Sequence, residues 1–589
     1  MKKYLLLIFT ILSAFSIQAQ QEPERILPRG FAKGEEAQMR DYIQSVHLEK
    51  NVNCITTAPE QTPRSMAEWE ELQAVVITWT SYNAILTEIV RHAKEEVEVI
   101  IVCSNPALVK NTLGGAGIDW TTNITFVQDE FNSVWVRDYG PNTIYLNEVE
   151  SLAFVDWIYN RPRPKDDVIP EAIAETLGLD IYCTTQLPTD LVHTGGNYMS
   201  DGMGTAFSSN LVLDENGPNN TWGISNHSEE EVEQIMFDFM GIQTYPKMTN
   251  LPFDGIHHID MHMKLLDEER ILVGQYPEGI ADGPQIEANI EYILNNFVTA
   301  YGNPFEIIRV PMPPENGAFP NTNGDYRTYA NAIFLNKTIL VPTYEEQFDT
   351  TGLRIWEEAM PGYNIVGINC NQIIPASGAI HCITKEVGVN APLLINHEQV
   401  REGCLGESTY VAATMKHKSG ISWAKVHYTT DINSGYLSMD MVYADNDTWE
   451  ADLPAISEET TLYYYFEAEA NDGKTMVRPI TAPQGYFDFG IKNCNVGTED
   501  ITLGYTQLLA AFPNPASAIT CIPVESQSAV EASIELTDVL GRRIMNIFEG
   551  KIAAGTSKYF IDASYLESGV YFITLKSGGA SLVQSLVVK

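Results

Sequence analysis

Ala74-Val-Val-Ile-Thr-Trp79, residues 84–96 and Val97-Glu-Val-Ile-Ile-Val-Cys103 follow one another almost without a gap. The first is a short β-rich run. In the second, Ile85, Ile89, Val90 and Ala93 fall on one face at helical spacing, and the third is apolar enough for a buried strand. The same alternation continues downstream. Residues 124–126, 135–136, 143–145, 206–213, 262–266, 271–273, 307–310, 333–335 and 338–341 read as strands, and 228–240 and 286–297 as helices. From about residue 66 to 400 this predicts an α/β domain of several βαβ-like units, similar in size but not in sequence.

The chain of 589 residues is too long for a single core, and three or four domains are expected. A net charge of -41 argues against nucleic acid as a partner, because phosphates require a basic surface. An acidic surface attracts cations without naming one. Lys2 and Lys3 precede an apolar run that ends near Ile17-Gln-Ala-Gln20, which reads as a signal peptide over 1–20. The run is short for a bilayer span, and no later stretch is long enough for a transmembrane helix, so the mature chain is expected to be exported without one.

Residues 21–64 are polar and dotted with proline, as in a pro-segment or N-terminal arm, and the α/β domain is assigned to 65–403. Past about 405 the helical spacing disappears. Alternating runs such as Ala424-Lys-Val-His-Tyr428, with turns at 431–435 and 446–447, predict an immunoglobulin-like β-sandwich over 404–491. A linker over 492–505 and a second small β unit over 506–589 complete the chain. The eight cysteines (54, 103, 183, 370, 382, 404, 494 and 521) show no CxxC or zinc spacing, with room for one or two disulfides.

Candidate chemistry centres on Ile374-Pro-Ala-Ser-Gly-Ala-Ile-His-Cys382-Ile-Thr384, where a turn at Pro375, Ser377 and Gly378 precedes one cysteine. Most lone cysteines are buried and inert, and a reactive one needs a cation or imidazolium to hold its thiolate. The company of Cys382 points to reactivity. Asp138 lies in Trp135-Val-Arg-Asp138-Tyr-Gly-Pro141, read as a strand end before a turn, where a capping carboxylate is the plainer alternative. His258 and Asp260 lie two apart in a run, 256–266, read as a strand, which would put both on one face. A metal held by His258, Asp260 and His262 is a weaker alternative, because paired histidines four apart suit a helix and carboxylates are sparse. A Cys–His pair alone suggests a protease or acyl transfer. Two further carboxylates suit a cationic substrate: a guanidinium is a planar fork that a carboxylate grips through two N–H donors, leaving its carbon open to a thiolate.

Pro63-Arg-Ser-Met-Ala-Glu-Trp-Glu70, Arg137-Asp-Tyr-Gly-Pro141, His193-Thr-Gly-Gly-Asn197, His257-His-Ile-Asp260 and Gly378-Ala-Ile-His-Cys-Ile-Thr384 resemble, in order, the motifs of the agmatine deiminase and bacterial peptidylarginine deiminase family. The resemblance implies a pentein fold, a propeller of five ββαβ-type units. It implies Cys382 as nucleophile, Asp138 and Asp260 as holders of the guanidinium, and His258 as general acid and then base. A covalent thiouronium would be released by water as citrulline, with no cofactor. The vertebrate peptidylarginine deiminases depend on calcium, but no EF-hand-like loop occurs here. Tyr159-Asn-Arg-Pro-Arg-Pro164 resembles the stretch that grips a peptide's C-terminal carboxylate, implying that role for Arg161 and Arg163, and Trp135 resembles a wall against the substrate's aliphatic stem. Asn331 is matched to a substrate-contacting asparagine, and His193 to Asn197 are expected to shape the pocket. The expected substrates are peptides or proteins bearing arginine, C-terminal above all. Rival readings are an agmatine deiminase, a non-catalytic surface adhesin and a Cys–His protease.

Ala511-Phe-Pro-Asn-Pro-Ala516, Asp538-Val-Leu-Gly541, Gly569-Val-Tyr-Phe-Ile573 and the terminal Val-Val-Lys589 resemble the C-terminal sorting domain of type IX secretion cargo. That implies the type IX machinery as a partner, and a protein secreted or held at the outer-membrane surface of a Bacteroidetes-like bacterium.

Overall fold

Five short sheets between residues 63 and 388 repeat one connection. In each, two strands pair antiparallel, and a helix then carries the chain to a third strand lying parallel to the second. Parallel neighbours require such a crossover, and a helix is its usual form. The first sheet pairs Leu72–Thr78 with Lys385–Gly388 and, across helix Asn83–Ala93, with Glu98–Cys103. In the second, Asn142–Leu146 and Ser151–Tyr159 are followed by helix Ile169–Leu177 and strand Ile181–Thr184. The third has Met199–Ser200, Ala206–Ser209, helix Glu229–Met240 and Lys247–Met248. The fourth has Met263–Leu265, Arg270–Gln275, helix Gly283–Asn296 and Glu306–Pro311. The fifth has Ile333–Leu335, Thr338–Thr343, helix Glu346–Ala359 and Asn364–Asn369. Because Lys385–Gly388 pairs with Leu72–Thr78, the end of the region is zipped to its beginning.

This is a computed structural model, and it describes residues 26–48, 54–220, 222–494, 506–516, 519–527, 529–539, 541–566, 568–577 and 580–589. The signal peptide expected at 1–20 and most of the linker expected at 492–505 lie outside the described residues.

Local chemistry accounts for the helices. Asn83–Ala93 buries Ile85, Leu86, Ile89, Val90 and Ala93 on one side. Glu229–Met240 opens on a capping box between Ser228 and Glu231 and closes at Gly241, whose φ of 71° suits glycine. Three segments depart from the strands read in the sequence. Residues 135–136 lead into a single helical turn, Val136–Tyr139. Residues 206–213 divide into strand Ala206–Ser209 and helix Leu211–Asn216. In 256–266 only Met263–Leu265 is extended, after a 3-10 turn at Ile259–Met261. Short apolar runs do not distinguish strand from buried turn by periodicity.

Residues 394–492 form two sheets over a shared core that includes Val411, Val426, Leu453, Tyr464 and Phe466. Strand Leu394–Asn396 pairs with Thr409–Lys416, so the unit takes in residues upstream of 404. Arg478 donates to Glu268 at 2.7 Å and fastens the unit to the α/β region. Residues 493–589 are a separate compact unit. It has two sheets of its own over Ile522, Val524, Ile534, Leu536, Ile573 and Leu586.

The N-terminal arm is docked on the α/β region. Helix Met39–Leu48 buries Met39, Tyr42, Ile43 and Val46 against Ile158, Val192 and Trp222. A disulfide joins Cys54 to Cys183.

Candidate active site

Each of the five sheets begins with a tight segment just ahead of its first antiparallel strand. Val136–Tyr139 precedes Asn142–Leu146, Gly195–Asn197 precedes Met199–Ser200, and Ile259–Met261 precedes Met263–Leu265. Asn331 stands just before Ile333–Leu335, and His381–Ile383 just before Lys385–Gly388. These equivalent positions deliver Asp138, Gly196, Asp260, Asn331 and Cys382 to one buried place.

A side chain of the protein itself fills that place. Arg29, from the N-terminal arm, is fully buried. Its Nε and Nη2 donate to Asp138 at 3.0 and 2.8 Å, and its Nη1 and Nη2 donate to Asp260, both at 3.0 Å. Nη1 lies 2.6 Å from the sulfur of Cys382. Two carboxylates thus hold two edges of the planar fork, each through two N–H groups, the strongest geometry such a pair has. Cys382, Asp138 and Asp260, named from the sequence, thus lie around one guanidinium, and Asp138 sits on a helical turn and not at a strand end.

Glycines make room for the ion. A Cβ on Gly196 would lie 1.8 Å from Arg29 Nη2 and 2.7 Å from His258 Nδ1, and one on Gly378 would lie 3.1 Å from the Cys382 sulfur. Gly196, within the quoted His193 to Asn197, therefore leaves the space that the ion occupies. If a guanidinium compound is turned over here, Gly196→Ala should lower kcat/KM for it by about a hundredfold or more, since a shift near 1 Å at the reacting centre has that effect. Steady-state ammonia release measures this, and near-normal turnover would move the guanidinium elsewhere.

The electrostatics are those of a dry ion cluster. Burial pushes the Asp138 and Asp260 carboxyls up, but Arg29 outweighs it and holds both well below the usual carboxylate range. Burial, then the Arg29 cation, lowers His258 to about 4, so its imidazole is neutral. Its Nδ1 lies 3.5 Å from Asp138 Oδ1, long for a hydrogen bond. Burial drives the Cys382 thiol well above its ordinary value, and the Arg29 cation is the main influence in the other direction. His258, Asp260 and His262 do not form a metal site: among the described residues no cluster of three or more such ligands is gathered.

A supporting layer was not read from the sequence. His381, next to the cysteine, bridges Asp260 Oδ2 at 2.8 Å and Glu68 at 3.0 Å. Glu68 also pairs with Lys264. Arg137 donates to the His381 carbonyl at 3.2 Å and pairs doubly with Glu386. Of these residues only Glu68, Arg137 and His381 fall within the quoted motifs, where they passed as neighbours of better candidates.

The remaining expected residues are buried, and they meet the segment around Arg29 or pack beside Cys382. Arg161 Nε donates to the carbonyl of Arg29 at 3.2 Å. Arg163 Nη2 donates to the carbonyls of Pro28 and Gly30 at 2.8 and 2.9 Å. Both bind main-chain oxygens flanking an internal arginine, where a terminal carboxylate was expected. Trp135 is buried and its Nε1 donates to the Leu27 carbonyl at 2.9 Å. Asn331 bonds to the Asp260 carbonyl at 3.0 Å and the Cys382 sulfur at 3.3 Å, so its hydrogen bonds go to the surroundings of the cysteine and not to the guanidinium.

Residues 64–387 match the family model described as Porphyromonas-type peptidyl-arginine deiminase, and residues 510–589 match the secretion system C-terminal sorting domain. A protein of Shewanella frigidimarina named "Putative agmatine deiminase" is 26% identical over 372 residues, covering 56% of this chain and 96% of its own. A Legionella pneumophila protein of the same name is 26% identical over 355 residues, covering 56% and 97%. Among solved structures, the agmatine deiminase of Enterococcus faecalis aligns with a TM-score of 0.48 at 19% identity, over 56% of this chain and 98% of that one.

Proposed function

Because the chain belongs to the Porphyromonas-type peptidyl-arginine deiminase family, we propose that it is a secreted enzyme that converts peptidyl-arginine, including C-terminal arginine, to citrulline and ammonia. The observation that supports this reading is an arginine with chain on both sides lodged against Cys382. Its main chain is engaged as well as its side chain: Arg29 N–H donates to the Ala376 carbonyl at 3.2 Å, and Arg161 meets its carbonyl. On a C-terminal arginine that carbonyl oxygen becomes part of the carboxylate, which Arg161 would bind more strongly. The sorting domain accounts for a secreted or cell-surface destination in a Bacteroidetes-type bacterium. The five repeated sheets support a five-bladed pentein, and the two-sheet unit at 394–492 an immunoglobulin-like module.

In this mechanism the substrate's cation draws Cys382 toward thiolate, and the thiol proton passes to His258. The sulfur adds to the guanidinium carbon. His258 returns the proton to a departing nitrogen, the C–N bond breaks, and ammonia leaves a thiouronium on Cys382. Water, deprotonated by His258, adds to the same carbon. The C–S bond breaks, the thiol is restored, and citrulline leaves uncharged. The proton that His258 took from water leaves with the ammonia, so the sum is arginine cation plus water giving citrulline plus ammonium. Asp138 and Asp260 stay ionised throughout and hold the carbon in place.

The named relatives favour a second reading, agmatine deiminase. Agmatine lacks the carbonyl that Arg161 meets. Arg161→Ala should therefore reduce kcat/KM for an arginine peptide at least about tenfold more than for agmatine, the effect of one hydrogen bond to a charged donor. Mass spectrometry of citrulline and N-carbamoylputrescine formation provides the measurement. Turnover of agmatine with no citrulline in any peptide would establish the second reading.

A further inference from the structure

Arg29 belongs to this chain, and the arm that brings it is held by contacts independent of the guanidinium. Glu35 pairs with Arg163 at 3.0 Å, Arg161 lies 4.3 Å from the centre of the Phe31 ring, and helix Met39–Leu48 packs through its apolar face. The disulfide at Cys54 anchors the arm's far end. The arginine is thus presented at the high effective concentration of a tethered ligand, about millimolar for short links. An external arginine must displace it.

Resting on the peptidylarginine reading above, we propose that Arg29 is the enzyme's own first substrate: Cys382 deiminates it within the same chain, and the resulting citrulline opens the site. Sulfur and guanidinium already meet, with Nη1 2.6 Å from the sulfur and both carboxylates on the fork, so the carbon that must be attacked lies one bond from the contact. The step exchanges one C–N bond of Arg29 for a C=O bond. Water supplies the oxygen, ammonia carries away the nitrogen, and the sulfur ends as it began. Citrulline is neutral, so Asp138 and Asp260 lose the cation that balanced two buried negative charges. A buried charge left without its partner is strongly unfavourable, and the segment carrying Leu27 to Phe31 is released from the pocket. An agmatine-sized pocket would have no use for the contacts of Trp135, Arg161 and Arg163 with that segment's main chain.

The test uses the full-length protein with its disulfide intact. Tryptic peptide mapping should find citrulline at position 29 in the wild type, with cleavage lost there, and arginine in Cys382→Ser. Formation should be first order and independent of protein concentration. When active protein is mixed with isotope-labelled Cys382→Ser, the labelled Arg29 should remain arginine, and conversion there would overturn action within one chain. Arg29→Ala should begin turnover of an added arginine peptide about tenfold faster than freshly made wild type. If wild-type Arg29 stays arginine while Arg29→Ala deiminates the added peptide, self-processing fails and the peptidylarginine reading stands. If neither reaction occurs, both fail.

Discussion

Cys382→Ser should release ammonia from arginine peptides at least about ten-thousand-fold more slowly than the parent enzyme, as loss of a covalent nucleophile does elsewhere. A serine hydroxyl is far harder to ionise than a thiol. The buried surroundings that already push the Cys382 thiol upward would penalise an alkoxide further. The two carboxylates are untouched, so Arg29 keeps its bonds to Asp138 and Asp260 and loses only its contact with sulfur. The variant should therefore melt within a few degrees of freshly made parent in which residue 29 is still arginine, since its core is unchanged. Ammonia release and a thermal melt check both halves. Residual turnover within tenfold of the parent would remove Cys382 as the nucleophile, and a collapsed melting transition would make the loss structural.

The repeat that organises the catalytic region was legible as recurring strand and helix signals, because long amphipathic helices such as Asn83–Ala93 leave a clear periodicity. The turns between repeats were not. Val136–Tyr139 and Ile259–Met261 are single turns in apolar surroundings, and their burial by neighbours makes them look like strands in one dimension. His258 and Asp260 reach the same pocket all the same, although not through the two-residue period of a strand.

The candidate site residues carried a chemical signature: one cysteine, one histidine and two carboxylates fit a guanidinium. Arg29 carried none. It sits in a polar, proline-dotted arm, and an arginine there is ordinary until tertiary contact shows where it points. Arg161 and Arg163 were legible as anion-binding residues, but what they meet depends on the chain that approaches them. A peptide carbonyl oxygen carries a partial negative charge where a carboxylate carries a full one, so both accept from arginine and the carbonyl more weakly. His381 was hidden by adjacency, since a residue beside a nucleophile is as often packing as function.

Asp260→Asn is expected to raise KM for arginine peptides and lower kcat together, with a loss in kcat/KM of about 3–5 kcal/mol, the range for removing one partner of a buried ion pair. At 1.4 kcal/mol per decade that is roughly a hundredfold to a few thousandfold. The carboxylate accepts from Nη1 and Nη2 of the guanidinium and also meets His381 Nδ1. An amide of the same shape can accept on one side only. Both Asp260 oxygens face the guanidinium, so the NH2 opposes one of its N–H donors in either orientation, and at the Oδ2 position it also opposes His381 when that ring turns Nδ1–H toward it. Asp138→Asn should behave differently, because Asp138 faces Nε and Nη2 and its further ion-pair partner among the described residues is His258, at 3.5 Å. Its loss should fall mainly on KM, whereas Asp260→Asn also disturbs the His381 link beside the nucleophile. Steady-state kinetics of the two variants on one peptide provides the comparison. Equal and purely KM-based losses would show that His381 and Asp260 do not act together, and unchanged kcat/KM in either variant would detach that carboxylate from the substrate.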